Sequence, residues 1–256
     1  MTLESANIPT GVISVHYRED NPDVFVPLTE VNGDDDTSSH HVRVNTSFIA
    51  GPERRALLWL AERTPADIAP NHLTILGVFG AFLVMLGFVA CRLSPWFVSV
   101  VIFGLFINWV GDSLDGTLAR YRRIERPDFG YLLDHSCDLI SQTFIFIGLG
   151  LSPYFTIISG LIAVAIYFLM TSYTYLKVLV LRTHHLSYYG VGGTELRLMI
   201  AAWTFVALSI GPKLVQNGWN GLPIIDLTIG AMGTLVFAAF IWKVYTDIRL
   251  FQDKLA

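Results

Sequence analysis

The chain has 256 residues, of which 53% are hydrophobic and only 15% charged, and its formal net charge is -4. Soluble domains carry about 25% charged residues, so this composition, with a mean hydropathy of +0.52, argues against a soluble globular enzyme. The negative charge argues against nucleic-acid partners. Several uncharged windows reach the about 20 residues that a helix needs to cross a bilayer. The sequence therefore predicts an all-α integral membrane protein.

The N-terminal tail, residues 1–47, is polar and acidic. Eight of the 21 Asp and Glu residues lie within the first 40 residues of the chain, and the tail has no sustained apolar period. Such a composition cannot bury enough apolar surface to form a core. We expect the tail to be flexible and to precede a membrane domain over residues 48–256.

The membrane domain is predicted to contain one interfacial helix and six spans. Pro52 suits the first position of a helix, and the arginines, leucines and Trp59 that follow are typical of a helix at the membrane surface. The uncharged stretch from 139 to 176 is too long for one span and divides at Ser152-Pro153. The interfacial helix is expected at about 52–64 and the spans at about 73–91, 94–118, 129–151, 154–180, 195–212 and 224–246.

Lysine and arginine are unevenly divided between the two ends of these spans. With a cytoplasmic N-terminus, thirteen of them flank the spans on the inner side, and only Arg92 and Lys213 lie outside. Basic loops are retained in the cytoplasm. We therefore expect a multi-pass protein with both termini in the cytoplasm.

Four aspartates stand where the second span ends and the third begins. Asp112 and Asp115 are three residues apart and Asp134 and Asp138 are four apart, so each pair lies on one face of its helix. The rise of the two helices brings all four to one depth near the cytoplasmic surface. Carboxylates held this close need compensating cations, and oxygen ligands favour Mg²⁺, Mn²⁺ or Ca²⁺. Two such ions about 4 Å apart suit phosphoryl chemistry.

Small and basic residues accompany the aspartates. Gly116, Ala119 and Gly130 line up with them along the two helices. Small side chains at these positions allow helices to approach or leave room for a flat ligand group. Arg120 and the basic loop behind it form an anion site that suits a diphosphate.

Two other interpretations compete with a metal-dependent enzyme. A divalent-cation channel or transporter also uses intramembrane carboxylates, but it places them near the midplane or along a pore. In a non-catalytic scaffold the carboxylates would only pair with arginines, which gives no reason for their fixed offsets. The position of the aspartates at one surface, beside a loop that suits anions, favours the enzyme.

Residues 112–138 carry a family resemblance. The pattern D-x2-D-G-x2-A-R, followed by G-x3-D-x3-D, is complete here and resembles the signature of the CDP-alcohol phosphotransferases, integral-membrane enzymes of phospholipid synthesis. Pro70-Asn71-His72-Leu73-Thr74 is similar to the entry to the first span in that family. The resemblance implies six spans with a juxtamembrane helix, and a homodimer. It also implies transfer of a substituted phosphate from a CDP-linked donor to an alcohol, with release of CMP.

The resemblance further implies roles for individual residues. Two divalent cations, Mg²⁺ or Mn²⁺ with Ca²⁺ as a structural substitute, would be bound by Asp112, Asp115, Asp134 and Asp138. Asp138 would also act as the general base. The nucleotide and its diphosphate would be held by Asn71, Asp115, Gly116, Ala119, Arg120 and Gly130. The active site would lie on the cytoplasmic side.

The substrates stay open between two versions. The run from Asp134 to Asp138 resembles that of eukaryotic choline and ethanolamine phosphotransferases, which favours a CDP-linked amino alcohol as donor and diacylglycerol as acceptor. The short chain favours CDP-diacylglycerol as donor and a small polar alcohol as acceptor. His135 is a candidate proton relay or hydrogen-bond partner of a metal ligand, but it points about 100° away from the aspartate face, and packing is the alternative role. Candidates for the acceptor pocket are His135, Lys177, Glu195 and Arg197, with an interfacial anchor as the alternative role for the last two.

Overall fold

The computed structural model describes residues 15–18, 21–27, 43–44, 50–181, 184–185, 193–216 and 218–255. Residues 1–40 form a unit of their own. Within it lies one antiparallel pair of strands, β1 (Val15–Arg18) and β2 (Asn21–Pro27), in which His16 is opposite Val26. Of residues 1–47 the structure describes only β1, β2 and Arg43–Val44, and the other residues of the tail, with the flexibility predicted for it, lie outside the described residues.

The second unit, residues 41–256, is mainly helical. Its helices are α1 (Ala50–Arg63), α2 (Pro70–Ala90), α3 (Val98–Arg122), α4 (Pro127–Leu151), α5 (Ile157–Leu181), α6 (Gly193–Ile210), α7 (Lys213–Gln216) and α8 (Ile224–Leu255). A 3-10 turn at Pro95–Phe97 precedes α3. Two-residue strands form a parallel pair, β3 (Arg43–Val44) with β4 (His184–His185), and an antiparallel pair, β5 (Gly218–Trp219) with β6 (Leu222–Pro223).

Among the described helices, four regions are long and apolar enough to cross a membrane. They are Pro70–Ala90, Pro95–Arg122, Ile157–Lys177 and Ile224–Leu250. The described part of α6 contains a shorter apolar helix, Leu196–Ile210, and α4 carries two of the aspartates in its first half. The fold is that of a mostly helical integral membrane protein.

Helices α2 and α3 pack at very close range because glycines line their contact. A Cβ at Gly111 would overlap the backbone of Gly77, and a Cβ at Gly80 would overlap the backbone of Asn108. Small residues of this kind allow membrane helices to bring their backbones together. The contact places the polar end of α3 against the start of α2.

The buried core has two main parts. One cluster connects α2, α3, α4, α6 and α8, and it comprises Ala81, Val84, Phe88, Val101, Leu105, Ile145, Phe146, Leu149, Phe155, Ile200 and Ile225. The other packs α1 on α2 and α3 through Leu57, Ala61, Leu73, Leu114 and Leu118. Leu57 and Ala61 are buried on one face of α1, whereas Trp59 is exposed.

Arg122 connects the end of α3 to the segment between α1 and α2 through hydrogen bonds. Its guanidinium donates to the carbonyl oxygens of Thr64, Pro65 and Ile68 at 2.9, 2.7 and 2.6 Å. Helix α3 ends immediately afterwards at Arg123, whose φ of 55° is left-handed. This arginine of the basic loop therefore serves the fold.

Candidate active site

The four aspartates come together where α3 and α4 meet. The carboxyl groups of Asp112 and Asp138 are within hydrogen-bonding reach of each other, and Asp115 is close enough to Asp134 for their charges to repel. Asp134, His135 and Asp138 can each present a ligand atom so that all three atoms lie within 4.8 Å of one another. The helical offsets of the motif thus produce one acidic cluster from two helices.

Asp115 is buried, only 7% exposed, and both of its carboxylate oxygens are held. Thr74 of α2 donates from Oγ1 to Oδ2 at 2.6 Å, and the backbone N–H of Gly116 donates to Oδ1 at 2.5 Å. Hydrogen bonds to an ionised oxygen are strong and directional. Thr74 belongs to the segment that begins at Pro70 and Asn71, so this segment fixes an aspartate of the motif. The sequence did not predict this contact.

Arg197 of α6 lies in the protein interior beside Asp112. Its Nη2 donates to Asp112 Oδ2 at 2.6 Å, and its Nε donates to Asn108 Oδ1 at 2.7 Å. Asn108 Nδ2 in turn donates to the carbonyl oxygen of Gly77 at 2.9 Å. The sequence made Arg197 a candidate for the acceptor pocket, whereas the structure commits its guanidinium to α3. Asn108 was missed, although an amide within an apolar run was a usable signal.

Lys177, another candidate for the acceptor pocket, belongs to a separate polar cluster between α5 and α8. Asp247 accepts hydrogen bonds from Lys177 Nζ at 2.9 Å, Lys243 Nζ at 2.8 Å and Tyr173 OH at 2.9 Å. The ammonium group of Lys177 is therefore engaged in linking these two helices. Glu195 lies in α6, but its side chain is outside the described residues.

His135 packs against two tyrosines. Its ring centroid lies 3.9 Å from that of Tyr131 and 4.9 Å from that of Tyr175, and its Nδ1 is 3.5 Å from Asp134 Oδ2. The histidine therefore combines the packing role with a contact to a motif aspartate. Sequence reasoning missed both tyrosines, because aromatic residues in apolar helices most often belong to the core.

The predicted nucleotide-binding residues lie near one end of each of three helices: Asn71 at the start of α2, Asp115, Gly116, Ala119 and Arg120 toward the end of α3, and Gly130 near the start of α4. A Cβ at Gly130 would meet no atom of the described residues within 4 Å, and one at Gly116 would lie 3.2 Å from Arg120 Nη1. Arg120 donates from Nη2 to Thr117 Oγ1 at 3.2 Å, so its side chain passes over Gly116. Ala119 is half-buried in α3, and Asn71 is exposed at the start of α2.

Comparison with protein families supports the resemblance carried by the motif. A family model described as CDP-alcohol phosphatidyltransferase matches residues 67–245, which include all four aspartates. The chain belongs to the CDP-alcohol phosphatidyltransferase family.

Curated members of the CDP-alcohol phosphatidyltransferase family align with parts of the chain. Cholinephosphotransferase 1 of Xenopus laevis is 26% identical over 207 residues, which cover 75% of this chain and 50% of that protein. Cholinephosphotransferase 1 of Gallus gallus is 36% identical over 96 residues, 35% of this chain and 28% of that protein. CDP-diacylglycerol--serine O-phosphatidyltransferase of Encephalitozoon cuniculi (strain GB-M1) is 35% identical over 123 residues, 43% of this chain and 31% of that protein. The chain spans half or less of the length of these relatives.

The acidic cluster in this member of the CDP-alcohol phosphatidyltransferase family has donors that suit a hard divalent cation. Four carboxyl groups from two helices offer oxygen atoms, the ligand type that Mg²⁺ and Mn²⁺ prefer. Arg197 offsets one of the negative charges. Carboxyl groups that remain uncompensated at such short range provide a physical reason for a cation to bind there.

Proposed function

We propose that the chain is a membrane phosphotransferase of phospholipid synthesis. It transfers a substituted phosphate from a CDP-linked donor to an alcohol and releases CMP. The observation that carries the proposal is the convergence of Asp112, Asp115, Asp134 and Asp138 from α3 and α4 on one cluster. Membership of the CDP-alcohol phosphatidyltransferase family supports the same reaction class.

The four aspartates hold two divalent cations, Mg²⁺ or Mn²⁺. When bound, these ions supply positive charge for the diphosphate of the donor and for the developing charge on the leaving CMP. Asp115 is oriented for this role by Thr74. Arg120 is the side chain that attracts the diphosphate, because it is an exposed arginine at the end of α3. The small residues Gly116, Ala119 and Gly130, with Asn71 at the start of α2, make room for the nucleotide.

Asp138 is the general base. It takes the proton from the acceptor hydroxyl, and that oxygen forms a bond to the β-phosphorus while the bond from this phosphorus to the CMP oxygen breaks. Its position one helical turn further along α4 than Asp134 supports this assignment in the version with diacylglycerol as acceptor, because a lipid reaches the cluster from the bilayer side.

The proposed enzyme spans the membrane six times, through α2, α3, α4, α5, α6 and α8. Helix α1 lies at the interface, which is supported by its buried Leu57 and Ala61 and its exposed Trp59. The basic residues at one end of the spans favour cytoplasmic termini and a cytoplasmic active site. We infer a homodimer from family resemblance.

The acceptor and donor follow one of two patterns. The similarity to cholinephosphotransferases favours a CDP-linked amino alcohol as donor and diacylglycerol as acceptor. The rings of Tyr131, His135 and Tyr175 beside Asp134 favour the same version, because aromatic faces attract ammonium groups. The similarity to a CDP-diacylglycerol--serine O-phosphatidyltransferase favours CDP-diacylglycerol as donor and a small alcohol as acceptor.

The deciding experiment measures CMP release by the purified protein in detergent with Mg²⁺ or Mn²⁺. CDP-choline, CDP-ethanolamine and CDP-diacylglycerol are offered separately, each with a pool containing diacylglycerol, serine and polyol phosphates. CMP is expected from one donor class, and Asp138→Asn should reduce its release by about 10² to 10⁴-fold. Asp226→Asn is the matched control, because Asp226 accepts hydrogen bonds from Thr156 and Ser159 outside the motif. Absence of CMP with every donor from folded protein would reject the proposal.

A further inference from the structure

A polar network connects three helices and includes Asp112 of the candidate active site. It runs from the carbonyl oxygen of Gly77 in α2 to Asn108 in α3, then to Arg197 in α6, and returns to Asp112 in α3. Every hydrogen bond in it measures between 2.6 and 2.9 Å. The motif accounts for Asp112 alone among these four residues.

The side chains of Arg197 and Asn108 in this network are buried. Arg197 is 5% exposed and Asn108 is 1% exposed. A charge held this deeply is costly unless its partners are fixed in good geometry. The guanidinium of Arg197 meets this condition, because its planar group donates to the amide oxygen of Asn108 and to a carboxylate oxygen of Asp112. Such a group has a defined orientation before any ligand binds.

The hydrogen bond from Arg197 orients the carboxylate of Asp112. Arg197 donates to Oδ2 at 2.6 Å, so the carboxylate is held in one direction. Asp112 is also within hydrogen-bonding reach of the carboxyl group of Asp138. The guanidinium supplies positive charge beside these two acidic groups, which offsets part of their negative charge.

An arginine that bound an anionic acceptor would be arranged differently. Anion sites present several N–H donors to an open space. In Arg197, Nε and Nη2 are both bonded to side chains of α3, and the residue is buried. Its surroundings therefore fit a structural partner of Asp112 better than a substrate contact.

We propose that Arg197, oriented by Asn108, is a positioning residue that presets Asp112 for divalent-cation binding. This inference rests on the proposed function, because it takes Asp112 to be a metal ligand. Substitution of partners that orient metal ligands typically weakens metal affinity by about 10- to 100-fold. The two residues should thus control cation affinity without contacting the nucleotide or the acceptor.

The test measures Mn²⁺ binding to the full-length protein in detergent, by titration calorimetry and by the electron paramagnetic resonance signal of free Mn²⁺. Arg197→Lys keeps the positive charge but removes the planar guanidinium that donates to two side chains. Asn108→Leu keeps the size of the side chain but removes its amide. Each is expected to weaken Mn²⁺ binding by about 10-fold. Thr204→Val is the control, because Thr204 is equally buried in α6 and bonds only to the carbonyl of Ile200 among the hydrogen bonds described. It should leave the affinity within about two-fold.

The outcomes separate this inference from the function on which it rests. Wild-type Mn²⁺ affinity in both variants, with a raised KM for the acceptor, would overturn the positioning role and return Arg197 to the acceptor pocket. An equal loss in Thr204→Val would also overturn it, because the effect would then be general destabilisation. If the wild-type protein binds no more Mn²⁺ than Asp134→Asn, the proposed metal centre itself fails. Thermal unfolding of every variant verifies that folded protein is compared.

Discussion

Glu53 of α1 accepts a hydrogen bond of 2.6 Å from the hydroxyl of Thr194 at the start of α6. The same carboxylate oxygen, Oε1, accepts a second bond of 2.9 Å from Trp109 Nε1 of α3. One side chain therefore ties α1 to two helices of the bundle. Thr194 precedes Arg197 by less than one helical turn, so this connection also fixes the beginning of the helix that contacts Asp112.

Removal of this carboxylate should destabilise the protein. Glu53→Ala leaves Trp109 Nε1 and the hydroxyl of Thr194 without their acceptor, which costs about 1–3 kcal/mol in the free energy of unfolding. Denaturant or thermal unfolding in detergent measures the change. Glu62→Ala is the control on the same helix, because Glu62 is exposed and contacts only the neighbouring Arg63 among described ion pairs. A loss of the same size in both variants would contradict the role of Glu53.

The hydroxyl of Thr74 should be required for full activity. Thr74→Val preserves the shape of the side chain but removes the donor to Asp115 Oδ2, and loss of such an orienting bond typically lowers metal affinity or activity by about 10- to 100-fold. Thr74→Ser should restore most of the activity. Rates of CMP release at several Mg²⁺ concentrations measure the effect, which should diminish as the metal concentration rises. Unchanged activity in Thr74→Val would mean that Asp115 needs no such support.

The glycine contact between α2 and α3 should not tolerate a methyl group. Gly111→Ala forces a Cβ into the backbone of Gly77, and overpacking of this kind costs about 1–3 kcal/mol. Gly230→Ala in α8 is the matched control, because a Cβ there meets no atom within 4 Å in the part of the chain that the structure describes. Alanine is the better helix former by about 1 kcal/mol, so the control should be neutral or stabilising. Thermal unfolding distinguishes the two, and equal stability would argue against the close contact.

Removal of divalent cations should stop the reaction and lower the stability of the protein together. A ligand that binds only the folded state stabilises it by about 2.7 kcal/mol at 100 times its Kd, so chelation should lower Tm as well as abolish CMP release. Excess Mg²⁺ or Mn²⁺ should restore both. The Asp134→Asn variant should show a smaller change in Tm, since it lacks one ligand. Turnover that persists in excess chelator would exclude a metal-dependent mechanism.

The sequence predicted those features of the site that depend on local spacing. The three- and four-residue offsets between aspartates indicated shared helix faces, and the structure brings the aspartates to one cluster. The contacts of Thr74 with Asp115, and of Arg197 with Asp112, join residues 41 and 85 positions apart. Periodicity carries no information about such pairs, because they depend on how the helices pack. The sequence could therefore name Arg197 as a candidate for the acceptor pocket, but it could not show that Asp112 lies beside it.

Hydropathy describes only part of the last helix. It predicted the sixth span at about 224–246, and α8 continues beyond this apolar region to Leu255. Lys243 and Asp247 lie on one face of this helix and pair at 2.8 Å, and an i,i+4 ion pair supports helical structure. Hydropathy detects where the apolar region stops. It does not detect where the backbone hydrogen bonds stop.

The four hydrogen bonds from Arg122 to carbonyl oxygens have a consequence for how the candidate site is assembled. They join the last turn of α3 to chain 54 to 58 residues upstream, just before the helix that carries Thr74. The hydrogen bonds of Arg122 therefore hold the end of α3, the helix of Asp112 and Asp115, against the segment that leads into α2. A substitution of Arg122, which lies outside the motif, would thus alter the position of α2 and, through Thr74, the orientation of Asp115.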